Sequence, residues 1–132
     1  MRFVFHKSRG AFTLVEIMIV VAIIAVLAAI ALPNFIRARK RTQAVRILED
    51  LRLLDYATDH YALETSKPAG FNPAMADLKN YMKTGTQLYD SGTDIFGDPY
   101  GPFTVDCIPK VCDSAFNSLS DVADAGFWSP YH

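Results

Sequence analysis

Phe12-Thr13-Leu14-Val15-Glu16-Ile17-Met18-Ile19-Val20-Val21-Ala22-Ile23-Ile24-Ala25-Val26-Leu27-Ala28-Ala29-Ile30-Ala31-Leu32 carries two polar side chains, Thr13 and Glu16. As a helix rising ~1.5 Å per residue it reaches roughly 30 Å, the thickness of a bilayer's hydrocarbon core. Three readings compete: a permanent anchor, a secretory signal removed after the apolar run, and a segment that is first anchored and later packs against copies of itself. The secretory reading has basic residues upstream, Arg2, Lys7 and Arg9, and the small-x-small pattern Ala29-Ile30-Ala31. Against it stand the length of the run, Glu16 and Pro33. A plain anchor leaves Glu16 unexplained, because a carboxylate costs up to ~3 kcal/mol near the centre of a span, and less near an end.

Glu16 therefore carries most of the information. No Lys or Arg lies on the adjacent turns. A cut just before Phe12 would create an α-amino group four residues upstream, at the same membrane depth on every copy, so that amine and carboxylate could pair between neighbours. The alternative is a Glu that snorkels to the headgroups from the first turn of the helix.

The run Gly10-Ala11-Phe12-Thr13-Leu14-Val15-Glu16-Ile17, continuing to Leu32-Pro33 behind a basic leader, resembles the N-terminus of type IV pilins and type II secretion pseudopilins. The resemblance covers about the first third of the chain. It implies removal of a leader by prepilin peptidase, N-methylation of the new first residue, and helical assembly with other pilins on an inner-membrane platform, after a stage held in membrane lipid. The family places Gly before the cut and Glu as the fifth mature residue, and these two rules disagree here. Cutting after Gly10 makes Glu16 sixth; cutting after Ala11 makes Phe12 first and Glu16 fifth. The second is preferred, which gives a leader of residues 1–11, a hydrophobic helix over 12–36 and a head over 37–132, with a mature chain of 132 − 11 = 121 residues.

Charge gives a conflicting signal on orientation. The formal net charge of −1 offers no electrostatic footprint for nucleic acid. Counting cations on either side of the span sets Arg2, Lys7 and Arg9 against Arg37, Arg39, Lys40, Arg41 and Arg46, which taken alone favours a cytoplasmic head. The resemblance implies the opposite: N-terminus cytoplasmic, head periplasmic, then a periplasmic pseudopilus or surface filament.

Beyond Pro33, which removes one backbone donor and should kink or loosen the helix, the apolar residues Ala44, Ile47, Leu48, Leu51, Leu54, Thr58, Tyr61 and Ala62 recur at three- and four-residue spacing. The helix is thus expected to continue to about residue 65. Its other face, with Arg46, Glu49, Asp50, Arg52, Asp59 and His60, reads as solvated or subunit-contacting. Ser66-Lys67-Pro68-Ala69-Gly70 ends the helix. Asn72-Pro73 reads as the start of a short helix ending near Gly85. Residues 94–96 and 103–106 read as short strands about a turn at residues 97–101, which gives an α+β fold: a long N-terminal helix on a small domain holding a short helix and a small antiparallel sheet. Asp94-Ile95-Phe96-Gly97-Asp98-Pro99-Tyr100 resembles a segment of major pseudopilins, with Ile95 and Phe96 replacing Pro and Trp, and inclines the reading toward the secretion branch.

Cys107 and Cys112, with four residues between them, are expected to form a disulfide outside the cytoplasm; zinc would need two further ligands, from scattered His60 or His132. Asp113, Asp121 and Asp124 are weak calcium candidates, since the resemblance brings calcium to mind but no calcium-loop spacing is present. Phe127, Trp128 and Tyr131 are expected to pack on the domain. No nucleophile-and-base arrangement is identifiable, so an enzyme is not expected and no cofactor is assigned. The alternative function is a membrane-anchored periplasmic binding module that does not polymerise.

Overall fold

The computed structural model describes residues 10–132. The leader cations Arg2, Lys7 and Arg9 lie outside the described residues. One helix, α1, runs over Leu14–Thr65 and includes Pro33 without a break. Proline cannot donate to the Ala29 carbonyl one turn back, and on the following residue the Asn34 side-chain Nδ2 donates to the Ile30 carbonyl at 3.3 Å. The chain divides into two compact units, residues 1–36 and 37–132.

In the first unit the apolar side chains face outward along the whole described length, with Phe12 81% and Leu32 61% exposed. The second unit is built on the rest of α1. Its buried stripe, Ala44, Ile47, Leu48, Leu51, Leu54, Ala57 and Thr58, follows the three- and four-residue spacing of the sequence. The first half of this stripe packs on Val111, Ala115, Leu119, Ala123, Trp128 and Tyr131. Leu54 and Ala57 pack instead on Leu78, Met82, Leu88 and Phe103. Trp128 is fully buried and Tyr131 nearly so, as the sequence leads one to expect.

Short helices supply those partners: α2 over Met75–Leu78, running on into a 3₁₀ turn at Lys79–Tyr81, then α3 over Gln87–Ser91, α4 over Asp113–Leu119 and α5 over Ala125–Trp128. The start of α2 corrects the expected cap. Asn72 accepts a hydrogen bond from the Thr104 hydroxyl at 2.9 Å, and Asp77 reaches back to the Ala74 N–H at 3.0 Å in its stead. Helix α3 is capped by Thr86 and ends on Gly92, whose φ of 68° suits a residue without Cβ.

The expected antiparallel sheet is not present: the described residues hold no strand, and Thr93 and Pro99 form a single isolated bridge. The cause is the Asp94 side chain. Its Oδ1 accepts the N–H groups of Phe96 and Asp98 at 2.8 and 2.9 Å, taking the donors a neighbouring strand would need. In the second expected strand Val105 pairs with Gly70 and Phe71 through two backbone hydrogen bonds, and Asp106 then turns away with φ of 64°. The architecture is one long helix with shorter helices and loops.

Candidate functional site

At the head of α1, residues 10–13 precede the helix and are exposed, so the expected scissile bond between Ala11 and Phe12 lies on open, non-helical chain. A Cβ built on Gly10 meets nothing within 4 Å, and so the fold itself does not demand glycine there. The Thr13 carbonyl accepts the first helical hydrogen bond, from Ile17 at 3.3 Å, which makes Thr13 the N-cap. Three residues on, the Glu16 carboxylate reaches back to the Thr13 N–H at 2.8 Å and the Thr13 hydroxyl at 2.9 Å, and the Glu16 N–H donates to that hydroxyl oxygen at 3.2 Å. This reciprocal box satisfies two donors that a helix start leaves orphaned. It also places one carboxylate where the greasy run begins, held without a Lys or Arg among the described residues.

The other expected site residues lie in the head and stay apart. Cys107 is exposed and Cys112 half-buried, and both are free thiols in the structure; the Cys112 sulfur lies 3.2 Å from the Ser114 hydroxyl. Asp113 sits in the first turn of α4. Asp121 forms an ion pair with Lys40 at 2.9 Å, and that hydrogen bond holds its carboxyl below the usual carboxylate range. Asp124 caps α5 by accepting the Phe127 N–H at 2.9 Å. The described residues contain no group of three His, Cys, Asp or Glu arranged to hold a metal.

Asp50 departs from its sequence reading. It is half-buried and accepts the Tyr100 hydroxyl at 3.1 Å. Burial pushes its carboxyl above the ordinary range, while the Tyr100 hydrogen bond and the Arg46 charge pull the other way. Asp94 is 1% exposed and its second carboxylate oxygen has no partner among the described residues. Both are structural ties of the head.

The family model described as the prokaryotic N-terminal methylation motif matches residues 6–32. The type IV major pilin protein PilA of Myxococcus xanthus is 43% identical to the chain over 65 residues, 49% of this chain and 29% of that protein. The type II secretion system core protein G of Klebsiella pneumoniae is 38% identical over 62 residues, 47% of this chain and 44% of that protein. The motif and these alignments make the chain similar to pilins and pseudopilins. The chain thus spans less than half the length of these two relatives. The type II secretion system core protein G of Pseudomonas aeruginosa aligns along nearly the whole of this chain, 28% identical over 145 residues, 93% of it and 97% of that protein. No solved structure matches significantly.

The sequence alone points to Glu16 but not to Thr13, although Ser/Thr-x-x-Glu ahead of an apolar run is itself a recognisable capping signal. Helix α1 contains a stretch long and apolar enough, by length and composition, to cross a membrane, which fits inner-membrane anchoring.

Proposed function

We propose that the chain is a filament subunit, made as a membrane-anchored precursor, cut by prepilin peptidase before Phe12, N-methylated on Phe12 and polymerised with other pilin-type chains. The carrying observation is that residues 14–32 are helical and exposed on every side, with Glu16 alone charged among them. Such a surface is stable in lipid or against other apolar helices, not in water. Helix packing replaces lipid with side chains of equal polarity, so direction and register must come from something else. Glu16 supplies that in this reading. Before processing, the Thr13 box satisfies its carboxylate within the chain; after processing, the amine of Phe12 on a neighbouring copy competes for it.

In this reading residues 1–11 are the leader, 12–36 the membrane and polymerisation segment, and 37–132 a periplasmic head. Pro33 sits near the far end of the apolar run, where a missing backbone hydrogen bond gives the helix room to adjust as it moves from lipid into a filament. The near full-length alignment with a secretion-system core protein G favours a short pseudopilus over a long surface pilus. Substituting Glu16→Ala tests the proposal: the variant should insert in the membrane as before but drop out of filaments, and unchanged filament incorporation would overturn it. Alkylation with and without reductant reads whether Cys107 and Cys112 become a bridge on export.

A further inference from the structure

Four cations fall within five residues just past the apolar run: Arg37, Arg39, Lys40 and Arg41. Lys40 is taken by Asp121, whose carboxyl also feels the Arg37 charge from farther off. Arg37, Arg39 and Arg41 are exposed and form no ion pair among the described residues, so one carboxylate faces four cations. At about 100° per residue, Arg37 and Arg41 share one side of the helix and Arg39 lies on the opposite side. A contact with a single protein face would call for cations on one side. A collar around the helix matches a layer that surrounds it.

The axial dimensions agree. With the Glu16 carboxylate at the opposite interface, residues 17–36 of the 12–36 segment rise roughly 30 Å, the depth of the hydrocarbon core, and residues 37–41 cover about 6 Å more, the thickness of one headgroup layer. We infer that Arg37, Arg39 and Arg41 bind the phosphates of anionic phospholipids in the leaflet on the head's side, while the subunit waits in the membrane. The inference rests on the membrane-anchored reading above. Arginine's fork suits phosphate oxygens, and cations at a membrane surface are drawn to anionic headgroups. The collar also accounts for the charge count that runs against a head placed outside. Cations beyond the span are tolerated there when the leaflet they meet supplies negative charge.

The test uses the full chain in phosphatidylcholine vesicles carrying a trace of spin-labelled phosphatidylglycerol or spin-labelled phosphatidylcholine. The wild type should enrich the anionic lipid at its boundary by about threefold or more, given roughly a fivefold effect per basic residue at a charged surface as an upper bound. Arg37→Gln, Arg39→Gln and Arg41→Gln together should remove most of that enrichment, leaving the part due to leader cations, and Lys at the same three positions should retain it. Equal enrichment in wild type and the Gln variant overturns the inference. So does loss of enrichment on adding inorganic phosphate but not chloride at matched ionic strength, which would mark a free-phosphate site. If the wild type washes off phosphatidylcholine vesicles at alkaline pH, the anchored reading falls and this one with it; retention without enrichment sinks this one alone.

Discussion

The Glu16 carboxylate holds both the backbone N–H and the hydroxyl of Thr13, at 2.8 and 2.9 Å, across the first turn of α1. The charged group that the filament reading depends on is thus already satisfied in the single chain. Assembly must offer it something better than two local hydrogen bonds, and a fixed positive charge from a neighbour does so by adding a Coulombic attraction that is strong where water is excluded.

Charge and capping can be separated at Glu16. Glu16→Gln keeps an acceptor for Thr13 and removes the negative charge, so filament yield should fall at least about tenfold, the equivalent of 1.4 kcal/mol or more per subunit contact. Thr13→Ala removes the cap, worth ~1 kcal/mol of helix stability, and leaves the charge. Its filaments should form with a smaller defect. Electron microscopy of sheared filaments with immunoblotting reads both; a larger defect in Thr13→Ala than in Glu16→Gln would show that the cap, not the charge, matters.

Asp94 should prove a structural keystone of the head. Asp94→Ala removes the acceptor of the Phe96 and Asp98 N–H groups in a part-buried turn, a net loss of about 0.5–1.5 kcal/mol for each hydrogen bond. Asp94→Asn keeps an acceptor there and should lose less than half as much. Thermal unfolding of the full chain in detergent orders the two, and an unperturbed Asp94→Ala would show that the turn is held by something else.

Packing on α1 should be sharply unequal. Leu51 is fully buried and Leu63 is 78% exposed on the same helix. Leu51→Ala should cost about 2–5 kcal/mol, and Leu63→Ala should stay within about 0.5 kcal/mol of wild type. Denaturant midpoints check the contrast.

The pH dependence of stability has a signed component at Asp50. Its carboxyl is raised chiefly by burial, so the folded state holds it better protonated. That contribution is full below the ordinary carboxylate range and is lost as pH rises through the raised value. Asp50→Asn keeps an acceptor for Tyr100 and cannot titrate. The variant should therefore gain stability relative to wild type as pH rises from below the ordinary carboxylate range through the raised value. A difference that is flat with pH would mean that Asp50 is solvated after all.

The long helix was legible because its pattern is local. The outward apolar run and the buried stripe from Ala44 to Thr58 both follow from spacing along one chain segment. The absent sheet was not legible, since residues 94–96 have strand composition and it is a side-chain choice, Asp94 bonding its own loop, that defeats the ladder. Helices α4 and α5, of 7 and 4 residues, are too short to show a period and form where Ala115, Leu119 and Trp128 find α1. Asp50 was read as solvated because Tyr100 lies 50 residues away. At the N-terminus the acid was conspicuous by its surroundings, while Thr13, an ordinary residue for a helix start, hid in plain view.

The most direct measurement is the intact mass of the protein purified from its native cells. Cleavage before Phe12 with methylation of its amine predicts a chain of 132 − 11 = 121 residues, heavier by about 14 Da than the unmodified peptide. A protein that retains Met1, or begins at Phe12 and still fails to oligomerise with its apolar helix intact, would contradict the account.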